Sequence, residues 1–358
     1  MKTPQLCRHL LASVLALTLL SAAPAAFAET HALIPGATVK TGSSVAVDSV
    51  WHFVYTINNS SQASDQVQVT WVGNNQWNTA VFSATGQPVL ATGTTQLLYV
   101  DSNYHFIYYI GADNRLWCWY WSGTAWTNTR LIPGQAATDL VGVDSSFHFV
   151  WYRNNGQLWV AYYNGSAWVT VQGPITDYDG VRGAAVDQTS HALYWHDRGG
   201  FGAIGNTLRT LYWNGRAYLP SVLTLNTDSR ALPCRPAVHQ GTGEVFGTRN
   251  SDLGLYKHYT NATFGTSQVN VGSVGSGDTD QGVADLAVNP LNGRVIFNGP
   301  NLSPMTILTP SGTGGSTTWT RANVAGTNGA QPGCCAMDNG NGWYFYTDAN
   351  DTFLHISY

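Results

Sequence analysis

Charged residues are scarce in this sequence. Asp, Glu, Lys and Arg make up 10% of its 358 residues, and beyond residue 28 the only lysines are Lys40 and Lys257. Proteins that bind nucleic acid or anionic lipid through charge carry clusters of basic residues. The sequence has no such cluster, so we expect neither a nucleic-acid partner nor binding to an anionic membrane surface.

Long apolar runs are lacking too, since a membrane-spanning helix needs about 20 consecutive apolar residues. The run at residues 10–20 is shorter, and no later run reaches that length. The run at residues 10–20 follows Lys2 and Arg8 and precedes Ala26-Phe27-Ala28, which is the pattern of a secretory signal peptide. We predict a signal peptide of residues 1–28, cleaved near Ala28. The mature chain is then secreted, either periplasmic or extracellular, without membrane insertion.

Cysteines are few as well. Cys7 leaves with the predicted signal peptide, and four cysteines then remain in an oxidising compartment. They are Cys118, Cys234, Cys334 and Cys335. Four cysteines allow three pairings. A vicinal disulfide between Cys334 and Cys335, or a bridge from one of them to Cys234, are the alternatives, and the sequence leaves the choice open.

Glycine and aromatic residues, by contrast, are abundant, and segment 140–172 shows how they are used. Apolar and polar residues alternate over four short stretches, which is typical of β-strands. Asn154-Asn155-Gly156 and Asn164-Gly165-Ser166 separate the last three stretches with residues that favour tight turns. Four short antiparallel strands in about 35 residues form one blade of a β-propeller.

The first half of this unit recurs seven times. The copies are VAVDSVWHFVY (45–55), LYVDSNYHFIYY (98–109), VGVDSSFHFVWY (141–152), AAVDQTSHALYW (184–195), AVHQGTGEVFG (237–247), LAVNPLNGRVIF (286–297) and AMDNGNGWYFY (336–346). Their anchors, Asp48, Asp101, Asp144, Asp187, His239, Asn289 and Asp338, lie 43 to 53 residues apart, a spacing typical of propeller blades. The second half repeats clearly in the first four units and has drifted in the last three.

The last unit stops after its third strand, and residues 33–36 (LIPG) match residues 131–134, which follow a fourth strand. We therefore predict that the N-terminal segment supplies the missing outer strand of the last blade, which would pair an open edge. The predicted fold is all-β: residues 29–358 form a single domain, a seven-bladed β-propeller of four-stranded antiparallel blades, with the ring closed by the N-terminal segment.

An Asp-x-x-x-His motif occurs in each regular unit, at Asp48/His52, Asp101/His105, Asp144/His148 and Asp187/His191. The spacing predicts a carboxylate and an imidazole on either side of one tight turn, within hydrogen-bonding distance. An active site is normally a single constellation, so a pair repeated in every regular blade is expected first to hold the turn. Ligand contact is the second hypothesis and catalysis the last.

Aromatic residues open the fourth strand of the first five blades, and most are expected to pack one blade against the next. They are Trp77, Trp126, Trp168, Tyr218 and Phe264. Trp117 and Trp159, with Arg115 and Arg153 nearby, form a second set, because flat rings flanked by polar groups can stack on a sugar. The predicted ligand-binding residues are His52, His105, His148, Arg115, Trp117, Arg153, Trp159, Trp126 and Trp168. We predict no catalytic and no metal-binding residues.

Two runs, HFIYYIGADNRLWCWYWSGTAW (105–126) and HFVWYRNNGQLWVAYYNGSAW (148–168), resemble the blade pattern of tectonin-like and fucose-lectin-like β-propeller lectins. The resemblance covers residues 45–265 well and the remainder weakly. It implies a sugar-binding protein with sites between neighbouring blades that acts by multivalent recognition. The Arg and Glu that clamp fucose in that family fall here on Phe106 or Phe149 and on Cys118 or Val160, so fucose specificity does not carry over.

The predicted function is therefore a secreted lectin with repeated shallow sites for monosaccharides or glycoconjugates, fucosylated ones among the candidates. It is not an enzyme and needs no cofactor. Two alternatives stay open: a propeller scaffold that binds a protein partner, and an exported glycan-active enzyme. Residues 311–319 contain the Ser, Gly and Trp of a sialidase-type Asp box without its Asp. Sugar preference, the number of sites, oligomeric state and calcium binding at the acidic loops are left open.

Overall fold

The computed structural model describes most of the chain beyond residue 30. The described residues are 31–40, 43–58, 66–82, 97–132, 134–178, 183–196, 208–223, 235–249, 254–260, 266–273, 285–298, 305–311, 318–324, 327, 330–348 and 351–358. They contain 28 β-strands and no helix, arranged as seven four-stranded sheets. The prediction of an all-β propeller with four-stranded antiparallel blades is confirmed. The predicted signal peptide lies outside the described residues.

We number the sheets in chain order. Sheet 1 contains β2 (Ala46–Asp48), β3 (Phe53–Ile57), β4 (Val67–Gly73) and β5 (Gln76–Val81). Sheet 2 contains β6 (Tyr99–Asp101), β7 (Phe106–Ile110), β8 (Leu116–Trp121) and β9 (Trp126–Arg130). Sheet 3 contains β10 (Asp139–Asp144), β11 (Phe149–Asn154), β12 (Gln157–Tyr163) and β13 (Trp168–Gln172). Sheet 4 contains β14 (Ala185–Asp187), β15 (Ala192–His196), β16 (Leu208–Trp213) and β17 (Tyr218–Leu223).

The remaining sheets follow the same plan. Sheet 5 contains β18 (Ala237–His239), β19 (Glu244–Arg249), β20 (Gly254–Thr260) and β21 (Thr266–Ser273). Sheet 6 contains β22 (Asp285–Val288), β23 (Val295–Asn298), β24 (Thr306–Ser311) and β25 (Thr318–Asn323). Sheet 7 contains β26 (Ala330–Asp338), β27 (Trp343–Asp348), β28 (Phe353–Ser357) and, from the other end of the chain, β1 (His31–Thr38).

The N-terminal strand is the outer strand of sheet 7. β1 pairs antiparallel with β28, with Ala32 opposite Ile356. Ile34 and Ala37 of β1 are fully buried in a core shared with Phe345 and Val54. This apolar burial fixes the strand, and it joins sheet 7 to sheet 1 because Val54 belongs to β3.

The first strands of successive sheets lie side by side: β2 contacts β6, β6 contacts β10, and the series continues through β14, β18 and β22 to β26, which contacts β2. A cavity of about 220 Å³ is lined by residues at the first strands of all seven sheets. Arg235 is the only charged residue among the described residues that line it.

The hydrophobic cores lie between neighbouring sheets. Trp119 packs with Tyr55 and Tyr109 between sheets 1 and 2, whereas Trp151 and Trp195 pack between sheets 3 and 4. Each of these side chains is at least 99% buried. Truncation of one such ring to Ala typically costs about 3–5 kcal/mol, so these aromatic layers hold the sheets against each other.

Cys118 lies in the core between sheets 2 and 3, where it is a buried free thiol whose pKa is raised by burial. The predicted pairings of Cys234 and Cys334 fall outside the described part of the structure. Within that part, no helix is long and apolar enough to cross a membrane.

Candidate functional site: aromatic patches between sheets

The Asp of each repeat closes the turn that follows its strand. Asp48 accepts hydrogen bonds at Oδ1 from the backbone amides of Val50 and Trp51, at 2.9 and 3.0 Å. Asp101 and Asp144 do the same in their own turns. The Asp of the motif therefore holds its own turn, as predicted for the Asp–His pair.

The predicted pairing of Asp and His within one turn is wrong, because each His bonds to the Asp of the preceding sheet. The His105 Nδ1 to Asp48 Oδ2 distance is 2.6 Å, and His148 to Asp101 is 2.8 Å. His191 to Asp144 follows at 2.9 Å, and His52 of sheet 1 lies 2.8 Å from Asp338 of sheet 7. These histidines have φ of 57–59°, a left-handed conformation in which His is among the better tolerated residues.

A second set of hydrogen bonds links the same turns through the residue after the Asp. The amide of Ser49 donates to Ser102 Oγ, the amide of Ser102 to Ser145 Oγ, and the amide of Asn339 to Ser49 Oγ. Gln188 and Gln240 continue the series into sheets 4 and 5. In sheet 6 the position is Pro290, which has no amide proton to donate.

The aromatic residue before His52, His105 or His148 adds a second contact between sheets. Trp51 stacks on His105, Tyr104 on His148 and Phe147 on His191, with ring centroids 3.5–3.6 Å apart and planes within 14° of parallel. All three stacks have the same construction: an aromatic ring from one sheet lies on an imidazole from the next.

Two further rings from the next sheet lie beside the first and third stacks, and sheet 3 carries rings at the equivalent positions. In sheet 2 these are Trp121 and Trp126, at the end of the third strand and the start of the fourth, and the Trp126 centroid lies 6.4 Å from that of Trp51. Both turns belong to the same end of the antiparallel sheets, so the rings share one face. We call the three equivalent groups aromatic patches. Patch 1/2 is Trp51, Trp121 and Trp126; patch 2/3 is Tyr104, Tyr163 and Trp168; patch 3/4 is Phe147, Trp213 and Tyr218.

The patch rings are partly exposed to solvent and pack against phenylalanine rings beneath them. Tyr104 is 51% exposed and Tyr163 39%, whereas the other seven rings are partly buried. Beneath them lie Phe53, Phe106 and Phe149, each within about 6 Å of a patch ring. The rings are therefore held in place by packing while part of their surface faces solvent, as a preformed binding platform requires.

The histidines of the three stacks each have one ring nitrogen that no aspartate uses. The Nδ1 atoms of His105, His148 and His191 are used by the aspartates, and within the described residues their Nε2 atoms have no hydrogen-bond partner. These side chains keep 18–24% of their surface exposed. Nε2 is thus the ring atom of each His that a ligand hydroxyl could reach.

Two local environments shift pKa values among the Asp–His pairs. The hydrogen bond that His52 donates to Asp338 raises the pKa of His52, against a smaller opposing effect of burial. Burial raises the pKa of Asp144, opposed by hydrogen bonds from the Phe147 and Ser146 amides and by the interaction with His191.

The structure separates the nine predicted ligand-binding residues into groups. His105, His148, Trp126 and Trp168 belong to the patches and their stacks, and His52 lies at the junction of sheets 7 and 1. Trp117 and Trp159 lie near the start of their strands, whereas the patch residues Trp121 and Tyr163 end the same strands. The predicted cluster is therefore not one surface.

Trp117 and Trp159 have neighbours of their own. Trp117 donates from Nε1 to Asp113, and Arg130 lies over the Trp117 ring, 5.2 Å from its centroid, while pairing with Asp113. Arg115 contributes its backbone amide to the same carboxylate.

In sheet 3, Arg153 pairs with Asp139, and Trp159 packs against the core between sheets 2 and 3. Arg153 thus pairs with a carboxylate through its side chain and Arg115 bonds to one through its backbone amide, and neither forms a shared patch with the histidines.

Seven of the nine patch residues were not predicted as site residues. They are Trp51, Tyr104, Phe147, Trp121, Tyr163, Trp213 and Tyr218. The sequence does contain a signal for these positions. The residue before the His is aromatic in the first three repeats. The fifth residue after the leucine of the third strand is aromatic in sheets 2–4. Only the placement of one sheet beside the next brings these positions together.

Within the described residues, no group of three His, Cys, Asp or Glu side chains could hold a metal ion. No protein-family model matches the sequence, and no curated protein matches it significantly.

Proposed function

We propose that this chain is a secreted carbohydrate-binding protein that recognises glycans at the aromatic patches between sheets, by multivalent binding and without turnover. The observation that carries the proposal is the threefold repetition of one partly exposed aromatic arrangement on one face. Aromatic faces attract the polarised C–H groups of a sugar ring, while hydroxyl groups bind to polar atoms at the edge. Weak sites gain strength by repetition.

The proposal includes the architecture that repeats the patches. We propose that the seven sheets are the blades of one closed ring within a single domain of residues 29–358, exported after cleavage near Ala28. The contacts of first strands from β2 round to β26, and the pairing of β1 with β28, support closure. The blade pattern resembles tectonin-like lectins, whose sugar sites between blades agree with this proposal.

The test is binding of the purified mature chain to a broad glycan array and to immobilised sugars. We expect retention that free sugar reverses. The variant Trp121→Ala/Tyr163→Ala/Trp213→Ala should lose at least tenfold in affinity, since each ring contributes about 0.5–1.5 kcal/mol. Val72→Ala, at the equivalent position of sheet 1, is the matched control and should bind like the wild type.

The outcome of that experiment also separates the alternatives. Absence of binding to every glycan, together with no agglutination of red cells, would contradict the proposal and favour a protein partner. Release of a cleaved product during incubation with the array glycans would favour the exported glycan-active enzyme.

A further inference from the structure

We infer that the three patches act together as one extended platform for a linear, neutral polysaccharide of equatorially linked pyranoses. This inference rests on the proposed function and specifies its ligand. It differs from recognition of separate terminal sugars, in which each patch would bind its own residue independently.

The first argument is contiguity. The patches occupy three successive junctions, 1/2, 2/3 and 3/4, on one face. At the flanking junctions this arrangement is incomplete. At junction 7/1, Asn341 and Val72 occupy two of the three aromatic positions and only Trp77 keeps its ring, and at junction 4/5 Ser190 replaces the stacking ring. The aromatic surface is therefore a single arc over neighbouring sheets, a distribution suited to a chain.

The second argument is the lack of a polar clamp. Selective capture of a terminal sugar needs several directed hydrogen bonds to its hydroxyl groups, because polar contacts fix orientation in a binding site. Here Asp48, Asp101 and Asp144 are fully buried and already accept hydrogen bonds from their own turns and from His. No carboxylate of these turns is left to clamp a sugar, and each patch offers ring faces, one imidazole Nε2 and the short polar turn beside it. This composition favours stacking over recognition of a hydroxyl pattern.

The third argument concerns charge and ring shape. The turns that frame the patches, residues 122–125, 164–167 and 214–217, carry one charged side chain, Arg216, and no carboxylate. A neutral chain suits this surface. Sugars with equatorial hydroxyl groups and equatorial linkages present flat faces of axial hydrogens along the chain, so successive residues can stack on successive rings.

The experiment is a length series. Cello- and chito-oligosaccharides of one to eight residues are titrated calorimetrically into the purified mature chain, and insoluble cellulose and chitin are used in sedimentation assays, with polygalacturonate as the charged comparison. We expect one of the neutral series to gain about tenfold in affinity once the oligosaccharide reaches a second patch, and again at the third. Polygalacturonate should bind weakly.

Single variants then test the arrangement of the patches. For the longest oligosaccharide, Tyr163→Ala, which weakens the middle patch, should reduce affinity about tenfold more than either Trp121→Ala or Trp213→Ala. For short oligosaccharides the three variants should lose similar amounts. Val72→Ala is the control, because it changes an exposed residue at the equivalent strand position outside the arc.

Binding that is independent of length, with equal losses for the three variants, would overturn the extended platform while leaving the sugar-binding proposal intact. Preference for terminal sugars of branched glycans on the array would do the same. Failure of every neutral glycan to bind would overturn both.

Discussion

Sheets 1–4 and sheets 5–7 share one blade plan but solve the same turn differently. In the first group the left-handed residue is His, at positions 52, 105, 148 and 191, and each His crosses to the Asp of the preceding sheet. In the second group it is glycine, at Gly243, Gly293 and Gly342. Glycine satisfies the backbone but carries no side chain to bridge the junction.

This difference shows that two properties of the turn are separable. One is the left-handed backbone conformation, and the other is the hydrogen bond between neighbouring sheets. Where the left-handed residue is His, the Asp of the preceding sheet accepts hydrogen bonds both from its own turn and from this His. Asp187 shows the other case: its neighbour in sheet 5 offers Gly243, and Asp187 instead accepts hydrogen bonds from the Thr189 amide and Ser190 Oγ. The junctions 1/2, 2/3 and 3/4 thus have both a polar link and a stacked ring, and the aromatic patches lie at those junctions.

The largest expected effect comes from removing a shared Asp. Asp48→Ala should lower the free energy of unfolding by about 3 kcal/mol, because two turn amides and His105 lose their acceptor in a buried site. Asp187→Ala, which leaves no His unpaired, should cost about half as much. Urea denaturation measures both. Equal costs would contradict a special role for the Asp–His link.

The next effect comes from the stacked ring. Phe147→Ala should destabilise the protein by about 2 kcal/mol, since the ring stacks on His191 and contacts Phe149 and Trp213. Thr242→Ala, at the equivalent position of sheet 5, should change stability by less than about 0.5 kcal/mol. A thermal unfolding series on both variants would reveal whether the stack matters.

A gain of one patch provides a sharper test of the comparison. Val72→Trp with Asn341→Tyr places rings at junction 7/1, beside Trp77 and above His52, where the Asp–His link already exists. If patches bind sugar, affinity for long neutral oligosaccharides should increase about two- to tenfold, or about 0.5–1.5 kcal/mol. Ser190→Trp at junction 4/5, which lacks the His, is the control expected to gain nothing.

The smallest effect is a pH dependence at His52. Its folded pKa is raised by Asp338, so the link stabilises the protein fully below the unfolded value of about 6.5 and loses this contribution as pH rises through the folded pKa. The side chain is 36% exposed, so solvent screening limits the effect to about 0.5 kcal/mol. His52→Gln should therefore cost more at pH 5 than at pH 8 by chemical denaturation. A larger cost at pH 8 would reverse the assigned sign.

Much of the fold was predictable because blade structure is local. Alternation of apolar residues, Asn-Gly turns and an even repeat predict short antiparallel strands without knowledge of distant contacts. The match of residues 33–36 to 131–134 also predicted which strand β1 would pair with, since corresponding segments of a repeat take corresponding positions. The buried faces of Ile34 and Ala37 supply the physical reason.

The site was predicted less well because its partners come from different repeats. Four of the residues expected to contact ligand do lie at the patches: Trp126, Trp168, His105 and His148. Their contact with a ligand remains a prediction. Trp117 and Arg115 seemed to belong with them because they are close in sequence. Residues at opposite ends of one strand lie near opposite faces of the propeller, so residues close in sequence belong to different surfaces.

The sequence by itself determined the repeating unit, its turns and its residue types, since strand pairing within a blade depends on neighbours along the chain. It did not determine which Asp each His forms a hydrogen bond with. His105 and Asp48 are separated by 57 residues, and only the packing of one sheet on the next brings them within 2.6 Å. The aromatic patches have the same origin: each is built from two sheets, and neither sheet alone contains one.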